Sequence, residues 1–216
     1  MSPDFDGPDF EEHWDRLRQQ GDVPRPFFSE YLSTPFVRCI DCEADLIATD
    51  EAYSVVKSYV AGETIFEMAI CSRCSIRLAQ GYSAHSKAMF EAAMREWKRQ
   101  TASSAEAPTE ESEERSFRFP VAAGQIDQIE ACASCGRPRV ECHRYSIVGA
   151  FLGRSMVTPT DTPFRLPLMI CDRCNSRTTE NISQQTRDNW DRFVEDHFDG
   201  PPGIELDSPQ LDPILI

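Results

Sequence analysis

Two runs dense in β-branched and aromatic residues lie close together in the first half of the chain, Ala52 to Val60 (AYSVVKSYV) and Thr64 to Ile70 (TIFEMAI). Ala61-Gly62-Glu63 separates them, and a short Gly-containing break between such runs predicts a β-hairpin. After Cys74 the spacing of apolar residues changes to a helical one. Ser75 to Gln80 makes a short helix that Gly81 ends, and Ser83 to Gln100 makes a longer one with Phe90, Ala93, Met94 and Trp97 on one face. The same order returns later. Tyr145-Ser146-Ile147-Val148 stands for Tyr53-Ser54-Val55-Val56, and Met169-Ile170 stands for Ala69-Ile70. Beyond that point the two halves keep one register at an offset of 100 residues: Arg77 with Arg177, Ser83 with Ser183, Lys87 with Arg187, Phe90 with Trp190, Met94 with Val194. The second hairpin is the longer, with Pro159, Pro163 and Pro167 in or near its tip. The pattern predicts an internal duplication in which one half's reading holds for the other.

What flanks these repeats is different in kind. Residues 1–36 read as an arm, in which Phe10, Trp14 and Leu17 mark one face of a short amphipathic helix. Prolines 24, 26 and 35 then interrupt an aromatic stretch around Phe27, Phe28 and Tyr31. Those aromatics are expected to pack on the first repeat and enlarge its core, with docking of another protein as the alternative. Residues 101–117 are small, polar and acidic, a solvated linker with little apolar surface to bury. Residues 199–216 form an acidic, Pro-rich tail ending in apolar residues. The expected organisation is therefore an arm (1–36), a first module (37–100), a linker (101–117), a second module (118–198) and a tail (199–216).

Each module carries two C-x-x-C pairs: Cys39, Cys42, Cys71 and Cys74 in the first, Cys132, Cys135, Cys171 and Cys174 in the second. Between the pairs lie 28 and 35 residues, enough for a hairpin that brings the second pair back to the first. Two thiols at this spacing can share one ion, and four thiolates make a closed tetrahedral site suited to structural zinc. Two such sets in matching surroundings predict two structural Zn2+ ions. Cys142, the ninth cysteine, has no counterpart and reads as a buried or incidental thiol, with a replacement ligand or a reactive site as the alternative. Its neighbour His143 does not make a catalytic pair with it, because adjacent strand residues point to opposite faces. His13, His85 and His197 sit in helical patterns as packing or surface residues.

The order knuckle, hairpin, then a cysteine pair opening a helix resembles the treble-clef or zinc-ribbon group of zinc-binding folds. The resemblance covers about 37–100 and 125–198, and it places the eight cysteines at ligand positions. It implies a small, metal-stabilised α+β fold and no single function. Glu43 stands where a zinc knuckle often has glycine, which the second knuckle does have at Gly136. Rubredoxin, an iron electron carrier, orders its cysteines similarly, but its second pair does not start a long helix, so zinc is expected over iron.

Composition narrows the function classes. The chain of 216 residues is 40% apolar and 27% charged, with a net charge of −14. A chain this acidic repels phosphate backbones, which argues against nucleic acid as a partner. The excess sits mainly in the arm, in Glu110 to Glu114 and in the tail, so a modest basic face built from Arg73, Arg77, Arg95, Lys98 and Arg99 stays open. No apolar run approaches the roughly 20 residues needed to span a bilayer, and the first residues lack the order of a signal peptide. The expected compartment is the cytoplasm, where paired cysteines more often bind metal than form disulfides. The sequence has no Gly-rich phosphate loop, no open metal position and no nucleophile–base set. A non-enzymatic adaptor or regulatory factor is expected, docking proteins through residues 1–36 and 199–216. A nucleic-acid-associated regulator and a thiol redox switch are the alternatives.

Overall fold

A computed structural model describes residues 22–102, 117–118, 123–159 and 166–198. The arm helix around Trp14, most of the acidic linker and the tail lie outside these residues. The described elements run β1 (Tyr53–Val60), β2 (Glu63–Cys71), α1 (Ser72–Gln80), α2 (Ala84–Ala102), β3 (Phe117–Arg118), β4 (Arg144–Leu152), β5 (Ser155–Pro159), β6 (Leu168–Cys171), α3 (Asp172–Thr179) and α4 (Gln184–His197). This is a small α+β fold around one antiparallel sheet. The sheet order is β2-β1-β4-β5-β3, and β6 also pairs with β4.

The two halves meet along β1 and β4, which pair over eight residues from Tyr53↔Phe151 to Val60↔Arg144. This register is self-complementary. Exchanging each β1 residue for its β4 counterpart turns Tyr53↔Phe151 into Tyr59↔Tyr145, and Val56↔Val148 is its own image. The matched ends carry matched aromatic stacks. Tyr53 lies 5.4 Å from Phe151 and Tyr59 lies 4.8 Å from Tyr145, both nearly parallel. Offset stacks of this kind add about 0.5–1.5 kcal/mol each beyond area burial. Both hairpins therefore enter one sheet, and neither half has an edge at the junction.

Partners across an antiparallel ladder share a face, so the register assigns the layers. Val56, Phe66, Met68 and Val148 face the helices, where Trp190 of α4 packs 6.4 Å from Phe66. A long helix in each half could bury its apolar face against its own hairpin or against the other helix. The structure instead exchanges the helices. α4 lies on the first half, where Asn189 donates to the Leu78 carbonyl of α1 at 3.1 Å. α2 lies against the second half. The crossing point is a cluster of hydroxyls at the two helix starts. Ser183 Oγ donates to Ser83 Oγ at 2.8 Å, Ser183 N–H to Ser86 Oγ at 3.0 Å, and Ser83 N–H to Thr186 Oγ1 at 3.1 Å. Ser86 and Thr186 are fully buried, and the cluster satisfies backbone donors that both helix starts would otherwise leave unpaired.

A strap from residues 22–36 covers the other face. Its buried anchor, Phe27, lies against β1 of the first half, as expected, and also meets Phe151 of β4 edge-on at 5.4 Å. Gly149 is what admits it: a Cβ there would stand 2.8 Å from Phe27 Cε1. The residue of β1 matched to Gly149 is Lys57, which is 2% exposed and serves the same strap by another means. Its ammonium donates to the Phe28 carbonyl at 2.7 Å and pairs with Glu30 and Glu67, each at 3.4 Å. Glu67 in turn accepts from Ser29 Oγ and Glu30 N–H, both at 2.8 Å. The loop so held presents Tyr31 (92% exposed) and Leu32 at its tip. Replacing Gly149 by Val should dislodge Phe27 and cost about 1–3 kcal/mol, the usual penalty for overpacking. A lowered urea midpoint, together with new proteolytic cleavage within 22–36, is the expected readout.

Candidate metal centres

β2 ends in Cys71 and β6 ends in Cys171, and each cysteine is also the residue before a helix, with extended φ/ψ. One sulfur of each set therefore sits where free helical N–H groups and the positive end of the helix dipole favour a thiolate. Cys74 and Cys174 follow in the first helical turn. The other pair comes from a tight turn folded over the strand edge. Ile40 N–H bonds the Ala69 carbonyl at 2.9 Å, and Ala133 N–H bonds the Met169 carbonyl at 2.8 Å. Inside the turns, Glu43 N–H bonds Cys39 O at 2.9 Å and Gly136 N–H bonds Cys132 O at 2.8 Å. Both turns need a left-handed residue after the second cysteine. Gly136 has φ 71° and Glu43 has φ 57°, so the first turn forms in spite of a side chain there.

In each set the four Sγ atoms lie within 4.8 Å of one another. The Cys42–Cys71 and Cys135–Cys171 sulfurs are both 3.8 Å apart. A tetrahedron with metal–sulfur bonds of about 2.3 Å has edges of about 3.8 Å, so the donor sets fit a four-coordinate ion. The Cys71 and Cys171 N–H groups point at Cys39 Sγ and Cys132 Sγ, each at 3.4 Å, in the manner of amides that stabilise metal thiolates. Cys42 and Cys135 are exposed and the other six are buried.

The thiols respond to this crowding unequally. Burial pushes Cys71, Cys74, Cys132 and Cys174 up, and Cys171 up to about 11. Burial also opposes ionisation of Cys135, but the Arg137 N–H and the neighbouring thiols outweigh it and bring Cys135 down to about 7. The Ala44 N–H leads the lowering of Cys42. Four thiolates cannot share so small a volume without a cation, so binding a divalent ion must expel protons from the buried members of each set.

Around the first set, Arg77 donates to Asp41 Oδ2 at 2.6 Å and to Cys74 Sγ at 3.4 Å. Burial would raise the Asp41 carboxyl, but Arg77 holds it below its usual value. His197 Nε2 lies 3.6 Å from the same carboxylate, and its Nδ1 faces the Phe193 carbonyl at 2.8 Å. Arg73 is bound through Nε to Glu51 at 2.8 Å. Arg73, Arg77 and Arg95 each pair with a carboxylate, which removes three members of the basic face open from sequence. His85 reaches the Asn181 carbonyl at 3.2 Å. Cys142 is half-buried and donates to the Pro138 carbonyl at 3.4 Å. Burial raises its thiol, and it is not one of the four sulfurs of the second cluster.

The eight cysteines singled out by spacing are thus brought together as two clusters that could hold metal. Spacing did not reveal the Asp41–Arg77–His197 contact, because it joins residues from three elements of opposite halves. No described helix is long and apolar enough to cross a membrane. No protein family, curated protein or solved structure was found to match this chain.

Proposed function

We propose that the chain is a duplicated pair of treble-clef zinc modules acting as a non-enzymatic adaptor or regulatory factor. The observation that carries this is the closure of both donor sets. Four sulfurs within 4.8 Å complete a tetrahedral ion and leave no position for a water or substrate, which is the signature of structural zinc. The thiolate donors favour zinc over hard oxygen-seeking cations, and the helices that open at Cys71 and Cys171 favour it over a rubredoxin-type iron site. Duplication is supported by the matched contacts: Cys39 N–H to Ala44 O and Cys132 N–H to Arg137 O, Tyr53↔Cys71 and Tyr145↔Cys171.

The adaptor reading is supported by the loop tip at Tyr31 and Leu32, which Glu67 and Lys57 hold rigidly while both apolar side chains stay exposed. Large, rigid, exposed apolar side chains are the usual anchors of protein interfaces. The acidic-apolar tail supplies a second candidate contact. Affinity capture from a reduced lysate tests the reading in three forms: the full chain, a Tyr31→Ser/Leu32→Ser variant, and a chain lacking residues 199–216. A protein retained by the full chain and lost from at least one altered form is the expected result. Capture of nothing, or of RNA released by salt, contradicts it.

A further inference from the structure

α1 and α3 carry arginines at matched places, but only the first pair is neutralised. Arg73 pairs with Glu51 at 2.8 Å and Arg77 with Asp41 at 2.6 Å. In the second half the matched positions are His143 and Ser134. Among the described residues Arg173 and Arg177 accordingly have no carboxylate partner. Arg177 lines a cleft of about 460 Å³ between α2 and the second cluster, together with Ser134, Thr178 and, from α2, Met89, Ala92 and Ala93. Glu96 also lines it and has an interaction of its own.

The first half shows what fills such a place. α4 presents Phe193 at the position of Ala93. Phe193 is 7% exposed, stacks on Trp190 at 5.8 Å and meets the His197 ring at 4.5 Å. His197 reaches Asp41, the carboxylate that Arg77 holds. The first half therefore fills its cleft with one large ring and one internal carboxylate. The second supplies a methyl group and a hydroxyl in their stead, and leaves the arginines.

We infer that this cleft binds a segment of a partner protein in which a large apolar side chain adjoins acidic residues. The inference rests on the adaptor reading and assigns it a surface. Arg177 lines the cleft, and Arg173 stands one helical turn away on α3, roughly 6 Å, outside the cleft lining, which suits a segment whose acidic residues reach Arg177 within the cleft and Arg173 beyond it. The chain's net charge of −14 does not forbid an acidic ligand. At physiological salt, charges beyond about 8 Å are largely screened, so the local arginines decide.

The test is fluorescence anisotropy of the full, metal-loaded chain with a labelled nine-residue peptide, Phe at its centre and two acidic residues on each side, at 0.15 M salt. Saturable binding is expected. It should weaken about tenfold or more in Arg177→Gln, in Ala93→Phe and in Ser134→Asp, the last two of which rebuild the first half's own filling. A peptide with Phe replaced by Ala, or with Lys for its acids, should lose binding. Metal content of each variant, two ions per chain, confirms that it is folded. Absence of binding, or equal binding by Ala93→Phe and Arg177→Gln, overturns the proposal. So does binding that emerges only when residues 199–216 are removed, which makes the chain's own tail the occupant. A partner that still docks on Ala93→Phe overturns the cleft and leaves the adaptor role standing.

Discussion

Stripping metal from the reduced protein unfolds both halves together. Structural zinc sites carry roughly 10–16 kcal/mol of apparent binding free energy, against roughly 5–15 kcal/mol for the net stability of a whole domain. Here the donor sets hold the architecture at the points where strand turns into helix. Cys71 and Cys171 fix the ends of β2 and β6, and Cys39 and Cys132 tie the knuckles to those ends. Without the ion, six buried thiols remain, and the amides aimed at Cys39 and Cys132 lose their anionic acceptors. Far-UV circular dichroism during titration with a strong zinc chelator, under reducing conditions that prevent disulfides, should show one cooperative loss of structure. A native spectrum from metal-free protein would contradict the expectation.

The second large effect is a substitution in one half felt in the other. Cys171→Ser removes a ligand of the second cluster, and its expected cost exceeds the 4–5 kcal/mol that marks exceptional mutations. The damage should not stop there. β6 pairs with β4, and β4 pairs with β1 along its length. α4 leaves the second half to bury Trp190 and Phe193 in the first, and each buried ring of this size contributes about 1.5–3 kcal/mol. Losing the second cluster therefore withdraws the first half's neighbour strand and its covering helix. Urea unfolding of Cys171→Ser should show a single transition at a much lower midpoint, with weakened metal binding at Cys39, Cys42, Cys71 and Cys74. A variant that keeps one metal at full affinity and half of its structure would show that the halves stand independently.

Much of the local structure was legible because it is written in short-range signals. The hairpin runs, the helix-ending Gly81 and the four C-x-x-C pairs each announce themselves within a few residues, and the 100-residue offset carried the reading from one half to the other. The pairing of β1 with β4 is another matter. Nothing local marks which strand a β-prone run will meet, and Val56 and Val148 are 92 residues apart. The exchange of helices depends on that pairing, so it was hidden with it. Lys57 reads as the polar member of a strand, yet it is buried, because the strap that supplies its acceptors, Phe28 and Glu30, comes from outside the repeat. Gly149 likewise gives no sign that an aromatic ring will stand on it. The paired arginines illustrate the same limit. Arg73 and Arg173 are indistinguishable by position, and only Glu51 against His143, both distant in sequence, separates a neutralised cation from an available one.

Eight sulfurs in two closed sets of four should hold one ion each. Native mass spectrometry of the purified, reduced chain, combined with elemental analysis, tests it most directly. Two zinc ions per chain, with protons displaced at each site, are the expected result. A chain that folds without metal, or that carries one ion or iron, would contradict it.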